Sequence, residues 1–264
     1  MEHEALIRLG VFAGLFALFA VFETLAPRRR RTQPRAHRWA TNWAILLLDA
    51  GTLRLLALTL PLLAVGAAIH AHRLGWGLFN HTDWPLWFEG VLAILILDLA
   101  IWAQHYVTHR VPLLWRFHRV HHADRDMDVT TAIRFHPAEI AASMLLKIGL
   151  VYALGPPALA VLIFEILLNG TALFNHANIA LPSRLDHALR RVLVTPDMHR
   201  VHHSARGCEH GSNFGFALSV WDRLFGTYCA QPAAGHDGMI LGLAWQDDSP
   251  AKLGWSLWLP FRRK

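Results

Sequence analysis

The sequence predicts an all-α integral membrane protein with about four transmembrane helices or helical hairpins and a cytoplasmic helical cap. Of its 264 residues, 54% are hydrophobic and only 17% are charged, which is too apolar for an ordinary soluble domain. Its apolar runs are long enough to cross a bilayer. Nine of its 18 histidines lie where helix ends could converge, so we expect the cap to carry a histidine-rich site for two metal ions.

The first apolar run, residues 5–26, is predicted to span the membrane. A cleaved signal peptide fits poorly, because the run is too long and the basic stretch PRRRR follows it at 27–31. The connector 27–38 carries six arginines, which predicts a cytoplasmic loop. The net charge of +6 therefore reflects membrane topology, and we expect no nucleic-acid partner.

Two further apolar runs follow. The second covers about 43–69 and contains Asp49 and Arg54, which are spaced to form an internal ion pair. Residues 70–85 are predicted to be a short interfacial loop with ordinary surface histidines. The third run, 86–104, leads directly into the first histidine cluster.

The fourth apolar region, 138–174, is interrupted by Gly-Pro-Pro at 155–157, which predicts a hairpin of two shorter helices, either fully spanning or re-entrant. If the connector 27–38 is cytoplasmic, the third run returns the chain to the cytoplasm, and the hairpin leaves and returns on that side. Residues 105–139 and the chain after residue 176 then lie on one cytoplasmic face.

The pentapeptide HRVHH occurs twice, at 118–122 and 199–203, whereas chance predicts roughly 0.1 matches to HxxHH in such a chain. Its spacing puts all three imidazoles of a copy on one helical face. His105 and His109 share a face in the same way, and His176 follows the hairpin.

These histidines are candidate metal ligands, since neutral imidazole suits iron, zinc, copper and nickel. The candidates are His105, His109, His118, His121, His122, His176, His199, His202 and His203. Four ligands suffice for one zinc, so eight or nine imply two metals. Few carboxylates and no paired thiols lie nearby, which predicts electron-poor, strongly oxidising metals.

Other polar residues are candidates for holding these ligands. Asp98 lies seven residues before His105 on the same helical face, where it could orient a ligand or bind an arginine or backbone group. His136 could be a tenth ligand, a support for another ligand, or a helix-start residue before Pro137. The candidates near the second pentapeptide are Asp197, Asn213 and Asp222.

The order HX3H (105–109), HX2HH (118–122) and HX2HH (199–203) resembles the fatty acid hydroxylase/sterol desaturase superfamily of membrane di-iron enzymes. The flanking stretches LLWRFHRVHH, TAIRFHPAE, NHANIALP and TPDMHRVHHS agree, over about 95–228. The resemblance implies two non-heme iron ions, O2 as co-substrate, and hydroxylation or desaturation of a C–H bond in a membrane lipid such as a sterol or fatty acyl chain.

The sequence departs from this family in two ways. Some relatives carry a second HX3H pair near His176, where this chain has Ala172 and Ala180, so Asn175 or a water could complete the ligand shell. Some relatives carry a fused cytochrome b5 domain, for which this chain has no room. We therefore expect a separate electron donor of ferredoxin, cytochrome b5 or reductase type.

The predicted organisation has three parts. Residues 1–94 form transmembrane helices and the basic loop, 95–230 form the hydroxylase-like catalytic domain with its hairpin, and 231–264 form a cytoplasmic tail. Two alternatives stay open: a membrane metallohydrolase using zinc-bound water, and a histidine-ligated electron-transfer or metal-transport protein. The first requires an HExxH-like carboxylate, and the second requires histidines at mid-membrane.

Overall fold

The computed structural model describes residues 3–59 and 63–262. Residues 60–62 of the second predicted apolar run and the last two residues of the terminal FRRK lie outside the described residues. Within the described part the chain forms helices, short 3-10 turns and isolated β-bridges, with no strand. The predicted all-α class is confirmed.

Thirteen α-helices occur in the described residues. In chain order they are α1 Glu4–Leu25, α2 Arg35–Thr59, α3 Ala64–Leu74, α4 Leu86–Arg110, α5 Pro112–His122, α6 Pro137–Leu154, α7 Ala158–His176, α8 Ser183–Leu189, α9 Pro196–His202, α10 Gly207–His210, α11 Val220–Leu224, α12 Gly235–Gly238 and α13 Leu253–Trp258. Helices α1, α2, α4, α6 and α7 are long and apolar enough to cross a membrane. The chain is therefore an all-α integral membrane protein with five such helices, which correspond to the three predicted apolar runs and the two halves of the predicted hairpin.

The hairpin forms as predicted, and each half is long enough to span. Helix α6 ends at Gly155, whose φ of 63° is left-handed, and Pro157 precedes α7. Gly155 lies against Gly77, and a Cβ on either residue would collide with the other segment. This close crossing joins the end of the hairpin farthest from His176 to the segment before α4.

One detail of the predicted second run and one of the predicted loop after it are wrong. Residues 70–74 are helical rather than loop, because small residues of α3, including Ala64 and Ala68, pack closely against α6 and α7. The expected pair between Asp49 and Arg54 does not form, and Asp49 Oδ1 is buried without a hydrogen-bond partner among the described residues.

The cap is built around α5 and α9. Helix α5 packs on α4 and on the C-terminal segment, where Val120 and Leu259 share a core with Ile45 of α2. The arginine-rich connector lies on the same side, since Arg28 Nε contacts Asp197 Oδ2 at 3.3 Å beside α9. Connector and both pentapeptides therefore occupy one side of the molecule, as the topology argument predicts.

Candidate metal centre

The nine predicted histidines converge into two clusters, and within each cluster the ligand atoms lie within 4.8 Å of one another. The first group is His105, His109, His118, His122 and His202. The second group is His121, His176, His199 and His203. All are buried except His109, which is partly buried. Four segments, α4, α5, α7 and α9 with its C-cap, supply the rings.

Each copy of HRVHH contributes to both groups. On α5, His118 and His122 enter the first group while His121 enters the second. On α9 the pattern is reversed, with His202 in the first group and His199 in the second. The i, i+3, i+4 spacing thus spreads three imidazoles over one broad face that borders two sites.

Four rings are oriented by hydrogen bonds from Nδ1, which leaves Nε2 directed at the centre. Three donate to main-chain carbonyls, His105 to Phe214, His176 to Ala172 and His202 to Ser212, each at 2.7 Å. The fourth, His118, lies 2.6 Å from Oε1 of Glu139.

The Nε2 atoms face one another at short distances. Those of His105 and His118 are 3.0 Å apart, although both rings carry their proton on Nδ1. His176 Nε2 lies 3.1 Å from Nε2 of both His121 and His199. Two opposed lone pairs repel unless a cation lies between them, so this donor set fits bound metal ions.

Burial keeps the cap histidines neutral. It holds the pKa of His121, His122, His199, His202 and His203 well below the usual histidine range, and neighbouring imidazoles lower most of these pKa values further. Neutral imidazole is the form that binds metals. Several of these buried nitrogens, including both of His203, have no hydrogen-bond partner among the described residues.

Two of the predicted supporting residues hold the loop that anchors His105. Asp222 accepts hydrogen bonds from the amides of Phe214 (2.8 Å) and Gly215 (2.9 Å). Asn213, which has a φ of 55°, donates to the carbonyl of Met198 at 2.8 Å and so links this loop to α9.

Asp98, another predicted supporting residue, contacts no histidine of the two groups. Asp98 accepts from Trp221 Nε1 (2.8 Å) and the Leu218 amide (3.3 Å), so its expected role in orienting a histidine is wrong. Seven residues of helix place it about 10 Å from His105 along the axis. The alternative prediction, a partner for backbone, fits.

Three predicted residues remain. His136 caps α6, accepting from the Ala138 amide at 3.1 Å, which matches its helix-start alternative. Asp197 pairs with Arg28 and Arg200. Asn175 donates to the Phe216 carbonyl at 2.8 Å, and its buried Oδ1 is unpaired among the described residues.

Sequence reasoning missed Glu139 and His210. Glu139 lies 21 residues after His118, a separation that does not place two residues on one face of a helix. The one sequence signal for Glu139 is its position in the first turn of a helix that begins with proline. His210 stacks on Trp115 with ring centroids 5.3 Å apart and lies 5.9 Å from His109.

A cavity of about 320 Å³ opens beside the first group. His105 and His118 line it at one end. Its apolar walls come from α1, α2, α4, α6 and α7, including Phe12, Ile101 and Met144. The two helices of the hairpin and the N-terminal helices therefore both contribute to the cavity wall.

Comparisons with known proteins identify the family of this chain and several relatives. The chain matches the fatty acid hydroxylase family over residues 90–227, about half of its length. The ornithine lipid hydroxylase OlsE of Rhizobium tropici is 28% identical over 230 residues, which cover 84% of this chain and 67% of that protein. No solved structure matches.

Alkylglycerol monooxygenases are also similar. Those of Xenopus tropicalis and Homo sapiens are 29% and 28% identical, over 56% and 58% of this chain. The chain spans 31% and 33% of their lengths. These relatives are hydroxylases and monooxygenases, which are oxidoreductases.

Proposed function

We propose, from the premise that this chain belongs to the fatty acid hydroxylase family, that it uses O2 and two non-heme iron ions to oxidise a C–H bond of a membrane lipid. The names of its relatives favour oxygen insertion over desaturation. Their substrates, an ornithine lipid and an alkylglycerol, join sterols and fatty acyl chains as candidate substrate classes.

One observation carries the proposal: two adjacent groups of buried imidazoles lie together, and the first of them borders a largely apolar cavity between membrane-spanning helices. We assign the five histidines of the first group to one iron and the four of the second group to the other. Opposed Nε2 atoms, as in His105 and His118, supply the electrostatic reason for cations at both places.

The chain's own part in the reaction is positioning. Bound iron would supply O2 activation and C–H cleavage. The Nδ1 hydrogen bonds of His105, His118 and His202 fix their rings, so little ligand motion is needed on metal binding. The cavity walls would hold a lipid carbon beside the first group and exclude water.

We also propose that the site faces the cytoplasm. The connector that bears Arg28 packs against the cap, so the positive-inside rule assigns both to the same compartment. Electrons would come from a separate donor of ferredoxin, cytochrome b5 or reductase type. The division at residues 94 and 230 into N-terminal helices, catalytic domain and tail is proposed on the same grounds.

Lipid profiling tests this function. Membranes of cells that produce the chain should contain a lipid that is heavier by one oxygen, and growth under 18O2 should label that oxygen. Cells that produce the His202→Ala variant serve as the control. An unchanged lipid profile, or label arriving from water instead of O2, would argue for hydrolysis or another chemistry.

A further inference from the structure

The end of the cavity farthest from the histidines carries a buried ion-pair cluster. Arg8 Nη1 lies 2.7 Å from Glu165 Oε2, and Lys147 Nζ lies 2.6 Å from Glu165 Oε1. All three residues line the cavity, and Glu165 is only 2% exposed. Ionised side chains within membrane-spanning helices are costly, and they commonly mark the path of a polar substrate group.

A mostly apolar stretch of the cavity separates the cluster from the histidines. Lys147 lies eight residues along α6 from Glu139, and Glu165 lies eleven residues along α7 before His176. At 1.5 Å per residue these separations are about 12 and 16 Å. Between the two ends the walls are mostly apolar, as at Met144 and Leu168, although the polar side chains of Asp49, Gln104, Ser143 and Asn169 also line the cavity. The cavity therefore suits an alkyl chain with a polar group at one end.

The unused hydrogen-bond donors of the two cations indicate which polar group fits. Arg8 and Lys147 share the buried carboxylate of Glu165, and among the described residues Arg8 also pairs with Glu4, whose side chain is 26% exposed. Two carboxylates therefore match the two positive charges. Lys147 makes no other ion pair within residues 3–59 and 63–262. Both cations retain N–H donors that Glu165 does not use. An anionic oxygen group of a ligand would accept hydrogen bonds from these unused donors.

We infer that Arg8 and Lys147 bind the acidic end group, a carboxylate or a phosphate, of an amphiphilic substrate whose alkyl chain runs to the histidines. The oxidation of the alkyl chain rests on the proposed function, whereas the binding of the acidic end group does not. The distance between the cluster and His105 would determine which carbon is presented for oxidation.

Equilibrium binding to the full chain in lipid nanodiscs tests the inference, with empty nanodiscs as the blank. The probes are radiolabelled hexadecanoate, hexadecyl phosphate and hexadecanol. Wild type should bind at least one of the two anions about tenfold more tightly than the alcohol, because a charge-assisted hydrogen bond is lost in the alcohol. The preferred anion distinguishes carboxylate from phosphate lipids.

Variants of the cluster should move anion affinity in opposite directions. Lys147→Met should abolish the preference, Lys147→Arg should retain it, and Glu165→Gln should strengthen anion binding by removing the competing carboxylate. Lys252→Met, at an exposed lysine, is the matched control and should change nothing.

Equal binding of all three probes to wild type would overturn the inference. So would parallel losses for every probe in Lys147→Met and Glu165→Gln, because the cluster would then only join α1, α6 and α7. The metal content is read separately. A purified protein that lacks iron but still prefers anionic probes would refute the proposed function and support this binding site.

Discussion

The two histidine groups differ in how their rings are held and in what they border. In the first group, three of five rings are anchored through Nδ1, to Phe214, Glu139 and Ser212. In the second group, only His176 has such an anchor among the described residues. The first group also borders the cavity, through His105 and His118. We therefore propose that the substrate approaches the first group, while burial and packing alone position most of the second.

Removal of one ligand from either group should have the largest effect. His202→Ala and His121→Ala should each lower lipid oxidation more than about 100-fold and cost about one of two metal ions per chain, since each removes one imidazole from one group. Product formation and elemental analysis of purified protein measure both.

His81→Ala is the control, because this exposed histidine lies outside both groups. Full activity in either ligand variant would contradict the assignment. Loss of both ions from a single substitution would show that the two groups are one cooperative site rather than two separable ones.

The anchor on His118 gives the next largest effect. Glu139→Gln removes the carboxylate that accepts from His118 Nδ1, and it should weaken metal binding at the first group by about 10- to 100-fold. Metal competition titrations measure this loss. Glu89→Gln, also in the first turn of a membrane-spanning helix but bonded to Thr82, should leave affinity unchanged. Equal losses of metal affinity in the two variants would show that the hydrogen bond between His118 and Glu139 has no special role in metal binding.

A smaller effect is expected at Asp222, which contacts the loop that anchors a ligand and not the ligand itself. Asp222→Asn should loosen the loop whose Phe214 carbonyl anchors His105, because an amide replaces one carboxylate oxygen that accepts from backbone. The thermal midpoint should fall by the equivalent of about 1–3 kcal/mol. Metal loss should be confined to the first group. Equal loss from both groups would contradict the separate anchoring.

A histidine outside both groups should give the smallest effect and a defined pH dependence. Burial, together with Arg200 and Arg28, lowers the pKa of His236 to about 4 despite the opposing charge of Asp197. The folded chain therefore binds this proton less readily than the unfolded chain. Stability from this group is complete above the unfolded pKa of about 6.5 and is lost as pH falls toward 4.

His236→Gln should accordingly show a shallower loss of thermal midpoint between pH 6.5 and 4 than wild type. Metal content at pH 7 should be unchanged, since His236 belongs to neither group. Identical pH profiles for the two proteins would show that His236 is not held neutral in the fold.

Local rules predicted much of this molecule from sequence. The Gly-Pro-Pro break at 155–157 defines the hairpin, and the HX2HH spacing identifies six of the nine clustered histidines. These features depend on neighbours within one helical turn. The same spacing did not reveal that each pentapeptide serves both groups, which depends on how α5 and α9 approach each other.

The remaining features depend on contacts between distant segments. Glu139 meets His118 only because α6 begins beside α5, and Asp98 instead meets Trp221, more than a hundred residues away. The basic connector was read as loop, yet its last residues, from Arg35, begin α2. In this helix Arg38 is buried against Asp124 and Asp128. The pairing joins residues more than 80 positions apart, so no local sequence pattern predicts it.

The most direct test of the central claim, that two buried imidazole groups bind two irons, is the metal content and optical spectrum of the purified chain. We predict about two irons per chain with no heme band, and X-ray absorption with nitrogen but no sulfur ligands. A single zinc per chain, a heme absorption band, or sulfur coordination to iron would contradict the account.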